Sequence, residues 1–270
     1  MLSLVLIGKD VSKSGSEKIH TFILNRLGYA CKYTRVSVGK EDFLKQAKIL
    51  LEETDGFNVT IPYKVDVMQL LNGVVGDAET FGAVNTVVTE SKTGYNTDGV
   101  GLMQMLKSAG FFVKGKRVLI LGVGGAGRST AVALKNAGAT VYLYQRRKDL
   151  LKAVCKELGV LACEDVEKFD GEIIVNATGV GMHDTEGVSP VEKNVFQGKE
   201  GAVDLIYEPK ESEFLRLAKE QGIKTLNGEA MLFYQAYYAD CLYLKRQADE
   251  KEAENLYALY IENETTNGVK

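Results

Sequence analysis

The stretch that most constrains this chain is residues 118–129, Val-Leu-Ile-Leu-Gly-Val-Gly-Gly-Ala-Gly-Arg-Ser. Val118 to Leu121 read as a short buried strand. Gly122, Gly124 and Gly127 follow in the spacing G-x-G-x-x-G, and a helix-forming run opens at once from Ser129. Strand, glycine turn and helix in this order form the context of a dinucleotide-binding unit. The first glycine permits a tight turn, the second lets the backbone approach a pyrophosphate, and the third lets the helix pack close to the strand. The helix N-terminus then offers free N–H groups to an anion. A ligand-free βα turn would also use glycines, but the flanking elements favour the ligand, with Gly122, Gly124, Gly125, Ala126 and Gly127 as its cradle.

At 270 residues the chain is long enough for one large domain or two ordinary ones. A net charge of −3 gives no electrostatic basis for a nucleic-acid partner. No apolar run approaches the ~18–20 residues that span a bilayer, so no membrane partner is expected. The apolar start, Leu2 to Ile7, lacks a basic flank and is too short for a signal peptide, and it reads as a first strand. Cys31, Cys155, Cys163 and Cys241 are far apart and form no C-x-x-C, the pattern of reduced thiols in a cytoplasmic protein. His20 and His183 are the only histidines and do not cluster with other ligands, so no metal is expected.

In chain order, a strand over 3–8 leads into a polar stretch containing Ser12, Ser14 and Ser16, then a helix over 17–27 with Ile19, Phe22, Ile23 and Leu27 at helical spacing. A strand over 31–38, a helix over 41–53 and a strand over 56–61 follow, an alternation that argues a mostly parallel α/β sheet. A short helical run at 64–71 comes next. The segments 83–89 and 95–96 read as a hairpin at a sheet edge, and a helix over 97–109 leads onward. The second α/β unit runs through strands at 117–121, 140–145, 172–176, 202–206 and 223–226, with helices at 127–137, 148–158 and 211–221 between them. An aromatic-rich helix from Gly228 and a last helix over 249–262 end the pattern, and 263–270 reads as a frayed polar tail. The expected fold is α/β in two domains. Residues 1–100 plus 236–270 form an open α/β substrate domain, and 101–235 form a Rossmann dinucleotide-binding domain. The C-terminal helices return to the first domain, and a ligand cleft is expected between the two.

A nicotinamide site that prefers NAD needs a carboxylate at the end of the second strand, about 20 residues past the glycines. Here Ala139–Tyr144 is followed by Gln145, Arg146, Arg147 and Lys148, and no acid appears before Asp149. Cations at that place suit a 2′-phosphate, because arginine binds phosphate through a planar fork of donors. NADP is therefore favoured over NAD, although a basic run opening a helix also occurs as a plain solvated face. The strand ending at Asn176 runs into Ala-Thr-Gly-Val-Gly, where glycines permit either close backbone approach to the ligand or an ordinary tight turn.

Hydride transfer to a ketone needs a proton source, and without a metal a side chain must supply it. His20, His183 and Lys64 are the candidates from residue chemistry. Lys64 follows the strand Phe57-Asn-Val-Thr-Ile61 and Pro62, and Asn58 and Thr60 share one face of that strand. Several polar groups at one strand end point to a ligand, while a lysine after a proline is equally at home on a surface. Asp98, in Tyr95-Asn-Thr-Asp-Gly99, is either a helix cap or a carboxylate that holds such a lysine.

Read together, Asn58-Val-Thr-Ile-Pro-Tyr-Lys64, Gly82-Ala-Val-Asn-Thr86, Asn96-Thr-Asp-Gly99, the glycine turn, Asn176-Ala-Thr178, Asp204-Leu-Ile-Tyr-Glu-Pro209 and Gly228-Glu-Ala-Met-Leu-Phe-Tyr-Gln235 resemble, in this order, the motifs of shikimate dehydrogenases. The resemblance spans nearly the whole chain. It implies NADPH-dependent reduction of 3-dehydroshikimate to shikimate, with Lys64 and Asp98 as the catalytic pair. It further implies that Ser14 and Ser16 bind the substrate carboxylate, that Asn58, Thr60, Asn85 and Gln235 hold the ring hydroxyls, and that Tyr207 lies nearby. Gln145, Arg146, Arg147 and Thr178 would serve the cofactor, with Leu205 and Gly228 by the nicotinamide. A monomer or homodimer is expected.

The chain departs from the family pattern at three places. Asp10 and Glu17 stand where the first loop usually carries prolines, Gln145-Arg146-Arg147 replaces Asn-Arg-Thr, and Gly127 replaces a frequent alanine. Such changes are compatible with a related enzyme acting on quinate or another analogue. A methylene-tetrahydrofolate-type dehydrogenase would also use a two-domain cleft and a lysine, but would leave the serine pair without a role. A non-catalytic nucleotide-sensing module would be favoured if Lys64 and Asp98 stood far apart.

Overall fold

The computed structural model describes residues 1–267. In chain order the elements are β1 (Leu2–Gly8), α1 (Ser16–Arg26), β2 (Cys31–Ser37), α2 (Phe43–Glu53), β3 (Gly56–Val59), β4 (Gly73–Val74), α3 (Asp77–Phe81), β5 (Thr86–Val88), β6 (Thr93–Tyr95) and α4 (Asp98–Ser108). They continue as β7 (Arg117–Leu121), α5 (Gly125–Asn136), β8 (Thr140–Tyr144), α6 (Lys148–Leu158), β9 (Leu161–Ala162), β10 (Ile173–Asn176), β11 (Gly201–Asp204), α7 (Glu213–Lys219), β12 (Lys224–Leu226), α8 (Glu229–Tyr243) and α9 (Glu250–Asn267).

The chain divides into two compact units, one made of Met1–Gly101 and the chain from Leu232 onward, the other of Leu102–Met231. Both divisions fall inside helices, α4 and α8. The return to the first unit begins at Leu232 rather than at 236, which moves Gln235 into the first unit.

The first unit holds a six-stranded sheet in the order β2-β1-β3-β5-β6-β4. It is mostly parallel with one antiparallel excursion: β1 pairs parallel with β2 and β3 and β4 with β6, whereas β5 runs antiparallel to both β3 and β6. The cause is local. A turn of a few residues after Val88 returns the chain at once, which only an antiparallel pair allows. The hairpin sits inside the sheet, because the two-residue β4 pairs with β6 and takes the edge. β1 is buried on both faces, as a strand with neighbours on each side and helices above and below must be. Val5 and Ile7 join Phe43, Ala47, Phe57 and Tyr63 in one cluster, while Leu4 and Leu6 join Leu24, Tyr33, Ala239 and Tyr243 in another. Alternation along one strand thus feeds two cores. α2 turns Phe43, Ala47, Leu50 and Leu51 to the first core, at the spacing of a single helical face. α8 serves the second core, where the Tyr243 ring fills the space a side chain on Gly56 would need.

The second unit holds a parallel sheet in the order β12-β11-β10-β7-β8-β9. Its first strand, β7, lies centrally, and the order reverses between β7 and β10, the switch point at which open α/β sheets bind ligands beyond their carboxyl ends. α9 corrects the expectation of a frayed tail: helix continues through Asn267, with the Thr265 and Thr266 hydroxyls donating to carbonyls one turn back and Glu264 paired with Lys18. The rest of that tail, 268–270, lies outside the described residues.

Candidate active site

Lys64 Nζ donates to Asp98 Oδ2 at 2.6 Å, and both side chains are partly buried. Lys64 sits in the turn after β3, and its place is fixed on both sides. The preceding Tyr63 is 1% exposed, stacks on Phe43 and donates its hydroxyl to Val38 O at 2.7 Å. The Lys64 carbonyl accepts the Val84 N–H at 2.8 Å. Asp98 opens α4, but its carboxylate is turned away from a capping role: Oδ1 accepts from Asn85 Nδ2 at 2.8 Å while Oδ2 holds the lysine.

Behind this pair lies a buried polar network. The Asn85 amide oxygen accepts from the Thr97 backbone N–H at 2.9 Å and from the Thr86 hydroxyl at 2.8 Å. A backbone N–H can only donate, so the Asn85 amide nitrogen must face Asp98. Asn58 Nδ2 donates to Asn85 O at 3.2 Å and to Thr86 Oγ1 at 3.1 Å, and Asn58 Oδ1 accepts from the Tyr33 hydroxyl at 2.9 Å. Asn58 and Asn85 are 5% and 3% exposed, and these bonds brace Asp98 and the end of β3. Asn58 Oδ1, with one donor against it, keeps room to accept a second.

Beneath Asn58, Tyr33 stacks on His20 at 4.5 Å, and His20 Nδ1 meets Asp240 Oδ1 at 2.6 Å. Burial pushes the Asp240 carboxyl above its ordinary value, with His20 pulling the other way. Burial and the Asp240 charge push the Tyr33 hydroxyl well above its usual range, so it remains a donor. His20 is therefore interior structure, and His183 is exposed in a short helical turn of the second unit. Of the three candidate proton sources, Lys64 alone pairs with Asp98.

Ser14 lies between β1 and α1 and Ser16 opens α1, with their hydroxyl oxygens 3.0 Å apart. Thr60 follows β3, and its methyl group occupies the room that Gly8 leaves by having no Cβ. On α8 Gln235 reaches toward Thr97, with 3.5 Å between Thr97 Oγ1 and Gln235 Oε1. Gly101 lets α4 pass close to the backbone of Gln235, where a Cβ would stand 2.8 Å from its nitrogen.

In the second unit the glycine turn leads from β7 into α5. Gly122 has φ +100°, a conformation glycine favours, and a Cβ there would stand 3.0 Å from the Thr178 methyl. A Cβ on Gly127 would overlap the Gly122 carbonyl oxygen, which is how the third glycine brings α5 onto the strand. Gly124 and Gly125 are exposed and face open space, and no side chain caps α5. Its first N–H groups are thus free to meet an anion. Gln145, Arg146 and Arg147 follow β8, and both arginines are exposed. Thr178 is held by Asn176, whose Oδ1 accepts from the Thr178 N–H at 3.0 Å and from its hydroxyl at 2.7 Å. Asn176 in turn donates to Asp204 Oδ1 at 3.0 Å, and Asp204 also accepts from Ile206 N and from the Ser212 hydroxyl. Burial raises the Asp204 carboxyl above its ordinary range. Leu205 and Gly228 lie against each other, since a Cβ on Gly228 would overlap the Leu205 carbonyl. Tyr207 is exposed on the loop after β11, in the second unit. Among the described residues no group of His, Cys, Asp and Glu is arranged to hold a metal ion, and no helix is long and apolar enough to cross a membrane.

Residues 6–87 match the family model described as the shikimate dehydrogenase substrate binding domain. The chain is 38% identical over 249 residues to the shikimate dehydrogenase (NADP(+)) of Caldanaerobacter subterraneus subsp. tengcongensis, covering 87% of this chain and 88% of that one. The chain belongs to the shikimate dehydrogenase family. It is also 36% identical to a shikimate dehydrogenase (NADP(+)) of Thermus thermophilus, over 88% of this chain and 91% of that one. The crystal structure of shikimate 5-dehydrogenase from Thermus thermophilus in complex with NADP(H) and shikimate superposes with a TM-score of 0.88 at 34% identity, covering 95% of this chain and 98% of that one.

For a shikimate dehydrogenase, several residues not singled out for a role from the sequence prove structurally important. Tyr33, Thr86 and Thr97 complete the network behind Asp98, and Asp204 ties the loops after β10 and β11. A polar residue ending an apolar strand, as Asn176 and Asp204 do, is a signal visible in sequence. Tyr33 gives no such signal, because its partner is 25 positions away.

Proposed function

We propose that this chain is a shikimate dehydrogenase that interconverts 3-dehydroshikimate and shikimate with NADPH, in the supply of chorismate for aromatic amino acids. The observation that carries the reading is the 2.6 Å contact between Lys64 Nζ and Asp98 Oδ2, in a chain of this family. The same contact argues against a nucleotide sensor, which has no need of a held acid–base pair.

The residues present fit the cofactor. The uncapped start of α5, the open space at Gly124 and Gly125 and the exposed Arg146 and Arg147 are a donor set for pyrophosphate and 2′-phosphate. Thr178, Leu205 and Gly228 lie at the strand ends that serve the nicotinamide side. When bound, NADPH supplies the hydride for the ketone carbon. Lys64 Nζ gives a proton to the substrate oxygen as negative charge develops there, and takes it back in the alcohol-to-ketone direction. Asp98 aims the lysine through the 2.6 Å contact, while Asn85 keeps the second carboxylate oxygen occupied. Ser14 and Ser16 donate to the substrate carboxylate, and Thr60 and Gln235 reach the ring hydroxyls. Tyr207 completes the substrate contacts. Residues 1–101 with the returning helices thus act as the substrate unit, and 102–231 as the NADP unit.

The test is nicotinamide absorbance with shikimate or quinate, each with NADP and NAD. Shikimate with NADP should turn over fastest, and a faster rate with quinate would reassign the substrate. What supports a cytoplasmic place is that all four cysteines are free thiols. Sedimentation separates monomer from homodimer.

A further inference from the structure

The loop between β1 and α1 holds no proline to stiffen it, yet it carries Ser14 and leads directly into Ser16. Its shape is held from the neighbouring edge strand instead. Arg35 and Ser37 lie two residues apart on β2 and so share a face. Ser37 Oγ accepts the Val11 N–H at 3.1 Å. Arg35 Nη1 donates to Ser12 O at 2.6 Å and, at a longer 3.4 Å, to Ser14 O. Its Nε faces Glu17 Oε2 at 3.0 Å. Asp10 adds a local turn, accepting from the Ser12 N–H at 3.1 Å and from its hydroxyl at 2.7 Å. Asp10 thus closes the start of the loop, and Glu17, in the first turn of α1, anchors the arginine that spans its end.

We propose that Arg35, held by Glu17, is the positioning residue that pre-forms the Ser14–Ser16 carboxylate site. The proposal rests on the substrate role of the two serines given above. A loop of serine, lysine and glycine is flexible when free, and ordering it on binding opposes affinity. The guanidinium removes that loss by bridging two carbonyls and one carboxylate through its planar fork, leaving the serine hydroxyls side by side. Lysine carries the same charge but is a single point donor, so it cannot make all three contacts. Glu17 offsets the charge of Arg35, so the device acts by geometry more than by attraction.

The test compares Arg35→Met, Arg35→Lys, Glu17→Gln and Ser14→Ala by steady-state kinetics and amide exchange. Arg35→Met should raise the KM for shikimate about tenfold, with kcat and the KM for NADP within about twofold. Arg35→Lys should behave like Arg35→Met, and Glu17→Gln should show a smaller rise in the same constant. The Ser14 amide, which donates to Val11 O in the native loop, should exchange faster in Arg35→Met while the amides of β3 do not change. An unmoved shikimate KM in Arg35→Met beside a raised one in Ser14→Ala overturns the proposal and leaves the serine reading standing. An unmoved KM in both removes the serine reading and this proposal with it. A loss spread over kcat and both KM values, with a lowered Tm, marks a general folding role and also overturns it.

Discussion

Around Lys64 and Asp98 the polar side chains are buried and bonded to one another, whereas at the glycine turn the groups offered to a ligand are backbone N–H and two exposed arginines. Asn58, Asn85, Thr86 and Thr97 are each at most 5% exposed. Gly124, Gly125, Arg146 and Arg147 are all exposed. On the proposed roles, the contrast follows from what each region would recognise. A ring alcohol is told from its neighbours by the direction of a few bonds, so the groups behind the proposed acid–base pair are locked in advance. A pyrophosphate is the same in every dinucleotide, and a helix start with room for it suffices. Choice between cofactors then falls to side chains on the surface beside it.

The sharpest way to break this contrast is Lys64→Ala. It should lower kcat by about a thousandfold, within the range general acid–base groups contribute, and leave NADP affinity within about twofold. Titration of NADP binding alongside single-turnover kinetics checks both, and near-native turnover would end the assignment. Asn85→Ala comes next. It removes the Asp98 Oδ1 partner and leaves neighbouring donors unsatisfied, so turnover should fall roughly ten- to a hundredfold with the KM for NADP unmoved. On the other side, Arg146→Ala should raise the KM for NADP roughly tenfold while that for NAD stays level, because only one of the two has a phosphate to lose. Equal effects on both would show that the basic run is a solvated face.

The smallest effect sharpens the comparison within the second unit, where Asp204 is buried together with its partners Asn176 and Ser212. Burial holds its carboxyl above the ordinary 3.8, so the folded chain favours the protonated form. That stabilisation is complete below the unfolded value and is lost as pH rises through the higher folded one. Asp204→Asn does not titrate there and should gain stability relative to the native chain as pH rises from about 4 to about 7. Denaturant unfolding at the two pH values measures it, and a difference independent of pH would refute it.

Much of the fold is legible in the sequence where burial imposes a period. α2 shows its face in Phe43, Ala47, Leu50 and Leu51, and β7 shows its central place in four unbroken apolar residues. The elements that escape are those too short to have a period, such as Gly73–Val74 and Asp77–Phe81. The hairpin's place inside the sheet escapes because it depends on which strands meet, which local pattern does not carry. The end of α9 escapes because Thr265 and Thr266 favour turns by propensity and are rescued by their own back-bonds. In the site, Lys64 and Asp98 are visible as motif residues. The bracing of Asp98 by Asn85 and of Asn85 by Asn58 depends on the register of β3 against β5 and on Tyr33 reaching across from β2. Those are facts of tertiary structure.

The division of the chain at Leu232 also sets an order of events during synthesis. The second unit is one unbroken span and is complete once Met231 has been made. The first unit begins earlier but finishes later, because Leu4, Leu6 and Tyr33 wait for Ala239 and Tyr243 to cover them. A nascent chain therefore carries an open, apolar sheet face until α8 has left the ribosome. Chains stalled after Met231 should yield a protease-resistant core from the second unit alone, and the open sheet is where a chaperone would be needed.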